Sequence, residues 1–232
     1  MSFNNGPTIV TNGLVLALDA GDKNSYVSGS TTWFDLTGVN NGTLTNGPTF
    51  NSGSGGLIVF DGTNDYVSTP YSGSNNNSDS TFATWFNPLN STNTYSLNRG
   101  RDNSGNGWSL LLGTDNSSGN RYRAGVVKTD GGTVGYVAYS TSSVIFNQWV
   151  YITGVWISGN SINLYVNGVF NSSVAVTGTS LRTSTDGWVL GSINTGLYSN
   201  IQVAVAQIYN RALTASEIQQ NYNAQKSRFG LT

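Results

Sequence analysis

The side chains that could do chemistry in this chain are few, and what is missing narrows the choices first. There is no histidine and no cysteine, which removes the Ser-His-Asp triad, imidazole acid-base catalysis, thiolate nucleophiles and the usual zinc sites. Glycosidases usually need two carboxylates about 5 to 9.5 Å apart. The one glutamate, Glu217, sits where a helix cap would use it, and no predicted strand carries paired aspartates. No GxGxxG or Walker-type loop is present. Four aspartates at strand ends, Asp19, Asp22, Asp61 and Asp65, could offer oxygens to calcium, which takes six to eight of them. The alternative is that they close Asx turns by accepting backbone N–H bonds. Arg99, Arg101, Arg121 and Arg123 could grip a carboxylate or sulfate on a glycan, or an acidic patch on a neighbouring subunit; Arg121 and Arg123 share a face if their segment is a strand. A solvated strand face is the other reading of these charges. Tyr95, Trp108, Tyr136, Tyr139 and Tyr198 adjoin polar loops and are the aromatic candidates for stacking on a sugar ring.

Composition sets the frame for these groups. The 232 residues fit one all-β domain, taken as 1–232. Charged residues make up 9% against a typical quarter, and ten basic against eleven acidic side chains leave a net charge of −1. Nucleic acid is therefore not expected as a partner, nor is an anionic membrane surface. Weak self-repulsion favours a permanent assembly, so a homo-oligomer is expected. No run approaches the roughly 18 apolar residues of a membrane span, and residues 1–11 lack the basic and apolar regions of a secretory signal.

The elements that must position these side chains are short segments rich in Val, Ile, Tyr, Phe and Trp, separated by Gly, Asn, Ser and Asp. That spacing predicts an antiparallel sandwich or jelly roll. Strands are predicted at Leu14–Asp19, Leu57–Asp61, Thr81–Asn87, Trp108–Gly113, Tyr122–Lys128, Trp149–Ser158, Ile162–Val166, Val169–Val176, Trp188–Ser192 and Ile201–Tyr209. In the third, Phe82, Thr84 and Phe86 alternate with Ala83 and Trp85, which describes a central strand apolar on both faces. Asn167-Gly168 between two strands predicts a type I′ hairpin. Thr214 and Glu217 form a capping box, and Leu213 and Ile218 a hydrophobic staple, for a helix of about ten to twelve residues.

Several segments, taken in order, resemble the laminin-G-like, concanavalin A-like family of pentraxin-related jelly rolls. They are Gly13-Leu14-Val15-Leu16-Ala17-Leu18-Asp19-Ala20-Gly21, Thr32-Trp33-Phe34-Asp35-Leu36-Thr37-Gly38, Leu57 to Val67, Phe82-Ala83-Thr84-Trp85-Phe86, Asn147 to Ile152, Leu164 to Gly168, and Ile208 to Thr214. The resemblance implies an all-β, antiparallel jelly-roll sandwich with one short C-terminal helix, in which Trp33, Trp85 and Trp149 are framework core residues. Bound calcium would be in keeping with such relatives. Where the family often carries an acidic residue before Ile-Tyr-Asn-Arg, this chain has Ala204-Val205-Ala206 and then Gln207, which suits a covered strand or a subunit contact. The resemblance extends to stand-alone phage virion proteins. It implies a non-enzymatic virion surface or appendage protein, released by lysis to an extracellular setting, contacting itself or other virion proteins and adhering to a cell-surface glycan. A free carbohydrate-binding lectin domain is the second reading and a polysaccharide-active enzyme the third.

Overall fold

Side-chain alternation decides the layering. The computed structural model describes residues 8–71, 78–100, 109–128, 134–182, 187–194 and 196–232. In chain order its strands are β1 (Leu14–Asp19), β2 (Thr32–Trp33), β3 (Gly42–Thr45), β4 (Thr49–Asn51), β5 (Leu57–Asp61), β6 (Tyr66–Ser68), β7 (Ser80–Pro88), β8 (Thr94–Arg99), β9 (Leu110–Asp115), β10 (Arg121–Lys128), β11 (Val134–Ser143), β12 (Val150–Ile157), β13 (Ser161–Val166), β14 (Val169–Ala175), β15 (Trp188–Leu190), β16 (Ser192–Asn194), β17 (Leu197–Tyr198) and β18 (Asn200–Tyr209). One helix, α1 (Ala215–Gln225), follows.

Two eight-stranded antiparallel sheets face each other. The first runs β14-β13-β12-β7-β18-β5-β4, with β1 also paired to β18, and the second runs β11-β10-β9-β8-β15-β6-β3-β2. Phe82 and Phe86 of β7 enter the core between the sheets, whereas Ala83 and Trp85 belong to a second cluster on the far face. The strand is apolar on both sides because both sides are covered. β18 behaves likewise: Ala204, Val205, Ala206 and Gln207 are all buried, and the Gln207 amide oxygen accepts the Tyr151 hydroxyl at 3.1 Å. The apolar substitution in that segment makes a covered strand.

The cover on the far face is the C-terminal segment. Thr214 and Glu217 close the capping box, and Leu213 and Ile218 are buried beside Trp85 in the second cluster. Trp85 stacks on Phe229 with centroids 4.2 Å apart and on Tyr222 at 5.6 Å; such pairs contribute about 0.5–1.5 kcal/mol each beyond their area. Arg211 holds the Glu217 carboxyl down to about 2 through ion-paired hydrogen bonds, with the Thr214 bonds assisting. Trp33 is also fully buried, and Trp149 packs on Phe229 at 4.8 Å. Asp35, within the Trp-Phe-Asp-Leu-Thr-Gly segment, accepts the backbone N–H groups of Ala17, Thr37 and Asn40, which ties that loop to β1.

The β13–β14 hairpin has Asn167 at φ 50° and Gly168 at φ 80°, the two positive angles of a type I′ turn. A Cβ on Gly168 would also lie 2.9 Å from Cβ of Tyr222. Replacing Gly168 with Val should therefore lower stability by about 1 to 3 kcal/mol, read as a reduced urea midpoint with an unchanged slope.

A polar groove at the open end of the sandwich as candidate functional site

Where the two sheets part at one end, their strand termini and loops leave a groove of about 360 Å³. Asp61, Gly62 and Thr63 follow β5 and Asn200 opens β18 on the first sheet; Asn90, Thr92 and Asn93 lead into β8, Tyr95 lies on it and Asn116 follows β9 on the second. The β16–β17 hairpin adds Leu197 and Tyr198. The hairpin is fixed at its base, because Ser199 donates its backbone N–H to Gly191 O at 2.8 Å and accepts the Tyr95 N–H on its hydroxyl at 2.8 Å. On the opposite wall the Asn93 amide oxygen accepts Asn116 N–H at 2.8 Å. Leu197 is half exposed at 48% and Tyr198 half-buried, so a ligand could touch both.

Tyr95 also begins a row across the outer face of the second sheet. It lies opposite Gly113, which lies opposite Arg123, which lies opposite Tyr139. Period-two alternation explains the face: Leu110 and Leu112 enter the main core, while Leu111 joins Tyr95 and Ile193 in a separate apolar cluster. Gly113 has no side chain, and a Cβ there would meet Thr94 O at 1.9 Å. The Arg123 guanidinium reaches over it to 5.3 Å from the Tyr95 ring centroid. Asp115 holds the Arg123 Nη1 at 3.1 Å and accepts the Tyr139 hydroxyl at 3.1 Å. Ser117 gives Asp115 two more bonds, from its N–H at 2.9 Å and its hydroxyl at 2.5 Å. Burial alone would raise the Asp115 carboxyl, but the Ser117 bonds and the Arg123 charge outweigh it and hold the group below its ordinary value.

The sequence candidates thus divide. Tyr95 and Tyr198 meet in the groove, and Arg123 and Tyr139 extend it from the Tyr95 side. Arg121 is exposed on the face that carries Arg123, as strand alternation requires. Tyr136 turns to the opposite face of β11 and packs on the main core. Arg99 is remote from the groove, buried in a cleft of about 160 Å³ with Tyr71, Asp79, Leu110, Trp188 and Asn210. Burial lowers its guanidinium from the ordinary value, with Tyr71 opposing. Arg101 and Trp108 lie outside the described residues. Asp115, Asn93 and Asn116 are site residues that sequence reasoning missed. The alternation of Leu111, Gly113 and Asp115 was the available signal for the first of them.

The four calcium candidates are engaged otherwise. Asp19 accepts Gly21 N–H at 2.8 Å and pairs with Arg228; Asp22 accepts Asn24 N–H, Asp61 accepts Thr63 N–H, and Asp65 accepts Asp61 N–H. These are turn closures. Burial raises the Asp65 carboxyl, against the lowering effect of its Asp61 backbone bond. Among the described residues no group of three or more acidic side chains is placed to hold a metal ion.

Residues 61–219 match the family described as the concanavalin A-like lectin/glucanases superfamily. The chain belongs to this family. No curated protein matches the sequence. Among solved structures, this concanavalin A-like chain is similar to Trypanosoma rangeli sialidase, with 17% identity and a TM-score of 0.65 over 95% of this chain and 34% of that one. The same sialidase in complex with sialic acid gives 17% and 0.68, over 95% and 34%. The botulinum neurotoxin serotype D binding domain gives 15% and 0.67, over 92% and 52%. At these identities the likeness is one of fold, and the chain spans about a third to a half of those structures' lengths.

Removing Asp115 would leave the Arg123 charge buried without its partner. Asp115→Ala should destabilise the protein by about 3 to 5 kcal/mol, measured by urea unfolding; a loss under 1 kcal/mol would mean that the pair is as dispensable as a surface one.

Proposed function

We propose that this chain is a non-catalytic recognition module that holds a glycan in the groove between Asp61–Thr63, Asn90–Tyr95, Asn116 and Leu197–Asn200. The observation that carries the reading is the convergence there of Tyr95 and Tyr198 with asparagines from three segments of the chain, Asn90 and Asn93, Asn116, and Asn200. A sugar ring presents apolar C–H faces and hydroxyls that both donate and accept. Aromatic rings suit the first, and amides, each carrying donors and an acceptor, suit the second. The groove's volume lies in the range of small-molecule sites, whereas the Arg99 cleft falls below it. A further hollow of about 480 Å³ beside Tyr26 and Phe50 has those two rings stacked on each other at 5.4 Å, and no charged side chain lines it.

The non-enzymatic reading is supported by the lining: among the described groove residues the one carboxylate is Asp61, already accepting Thr63 N–H at 2.7 Å. The two-carboxylate route of glycoside cleavage needs a second. The family and the fold of the sialidase and toxin-domain neighbours are in keeping with a carbohydrate-binding sandwich. Adhesion at a virion surface or appendage, as an oligomer, is the setting we propose for it, on the resemblance of its strand and turn segments to a family found in adhesins, lectins and phage virion proteins.

A glycan array probed with the full chain tests this. Saturable binding to a restricted set of glycans is expected, unchanged by EDTA, with Tyr198→Ala weakening it at least about tenfold, equivalent to about 1.4 kcal/mol. An array without binding, or full binding by Tyr198→Ala and Tyr95→Ala, would refute the groove as the site.

A further inference from the structure

The row beside the groove contains a donor pair that the fold leaves unmet. Arg123 is 8% exposed, its Nη1 is committed to Asp115, and its guanidinium lies against the Tyr95 ring. The remaining atoms, Nε and Nη2, are buried and have no hydrogen-bond partner among the described residues. Buried donors are nearly always bonded, so each exception needs a physical account. Nε and Nη2 form one edge of the planar guanidinium, the edge that meets two oxygens of one group in parallel bonds.

We propose that Arg123 is the anion-anchoring residue of this groove, its Nε–Nη2 edge receiving the two oxygens of a carboxylate carried by an acidic sugar. This deepens, and rests on, the glycan reading above. Three features support it. The fork is rigid, because Asp115 is itself held by Tyr139 and by both donors of Ser117. Arg123 reaches across β9 to the Tyr95 ring because the intervening Gly113 has no side chain. Tyr95 belongs to the groove lining and to the Arg123 contact alike, which places Arg123 directly behind the groove wall.

Charge selects the class of anion. Asp115 already balances Arg123 one to one, so further negative charge is opposed there, a dianionic phosphate more strongly than a singly charged carboxylate. A covered fork is also desolvated, which strengthens a charge-assisted bond once it forms and reduces competition from water. Arg121, exposed on the same face, adds positive charge near the approach.

Two measurements on the full chain test this. In isotope-labelled protein, the Arg123 Nε–H resonance should shift saturably with sodium acetate but not with sodium chloride at equal ionic strength, and Arg123→Lys, which lacks the fork, should abolish the assigned signal. On an array of matched sugar acids and their methyl esters, the acid should bind about tenfold more tightly than its ester, a ratio falling to about one in Arg123→Lys. No acetate shift, an equal shift with chloride, or equal binding of acid and ester would overturn the proposal. An equal gain for sulfate esters would overturn its carboxylate assignment. Neutral and acidic sugars bound alike would leave the glycan reading standing and remove this inference; an acetate shift with no glycan bound would do the reverse.

Discussion

Strand β7 cannot be left with a wet face, and the architecture follows from that constraint. Phe82 and Phe86 point one way and Ala83 and Trp85 the other, all essentially without solvent exposure. Burying a large apolar side chain is worth about 1.5 to 3 kcal/mol, so exposing either side would forfeit several such contributions. The second sheet covers one face. The C-terminal segment covers the other, with the capping box starting the helix and Phe229 and Tyr222 closing over Trp85. Polar machinery is thereby pushed elsewhere.

That elsewhere is the rim and the outer face of the second sheet. At the rim, strands β5 and β18 of one layer and β8 and β9 of the other end close together, and the backbone groups they leave are met by asparagine and aspartate side chains. The same residues line the groove. On the outer face, Gly113 lets a long arginine from β10 cross to an aromatic ring on β8, and Asp115 fixes it there. Rigid strands thus position the groups on both sides of the groove, while the β16–β17 hairpin contributes the exposed Leu197 and the half-buried Tyr198.

Much of the fold was legible because apolar alternation is a strong signal. β1 and β5 have the bounds their sequences predict, β7 divides its faces as expected, and Asn167-Gly168 and Thr214-Glu217 form the turn and cap their chemistry demands. β8 and β11 were not legible, since Thr-Tyr-Ser-Leu-Asn-Arg and the serine-rich end of β11 lack a clean apolar period. The site was legible in part. Tyr95, Tyr198, Arg123 and Tyr139 were singled out by type and position, but their grouping depends on pairing between β8, β9, β10 and β11, which no local pattern encodes. Arg99 and Arg123 look alike in sequence and part company because the first lies opposite core-facing Leu110 and the second opposite Gly113 on the outer face. Asp115 precedes a run of turn-forming residues, which hid its role as the anchor of Arg123.

The most direct measurement is backbone amide chemical-shift mapping of the full chain with the tightest glycan it binds. Perturbations gathered at Asn90 to Tyr95, Asn116 and Leu197 to Asn200, with α1 unmoved, are the predicted result. A perturbed patch on α1 and the hairpin of β13 and β14, with the groove silent, would contradict it.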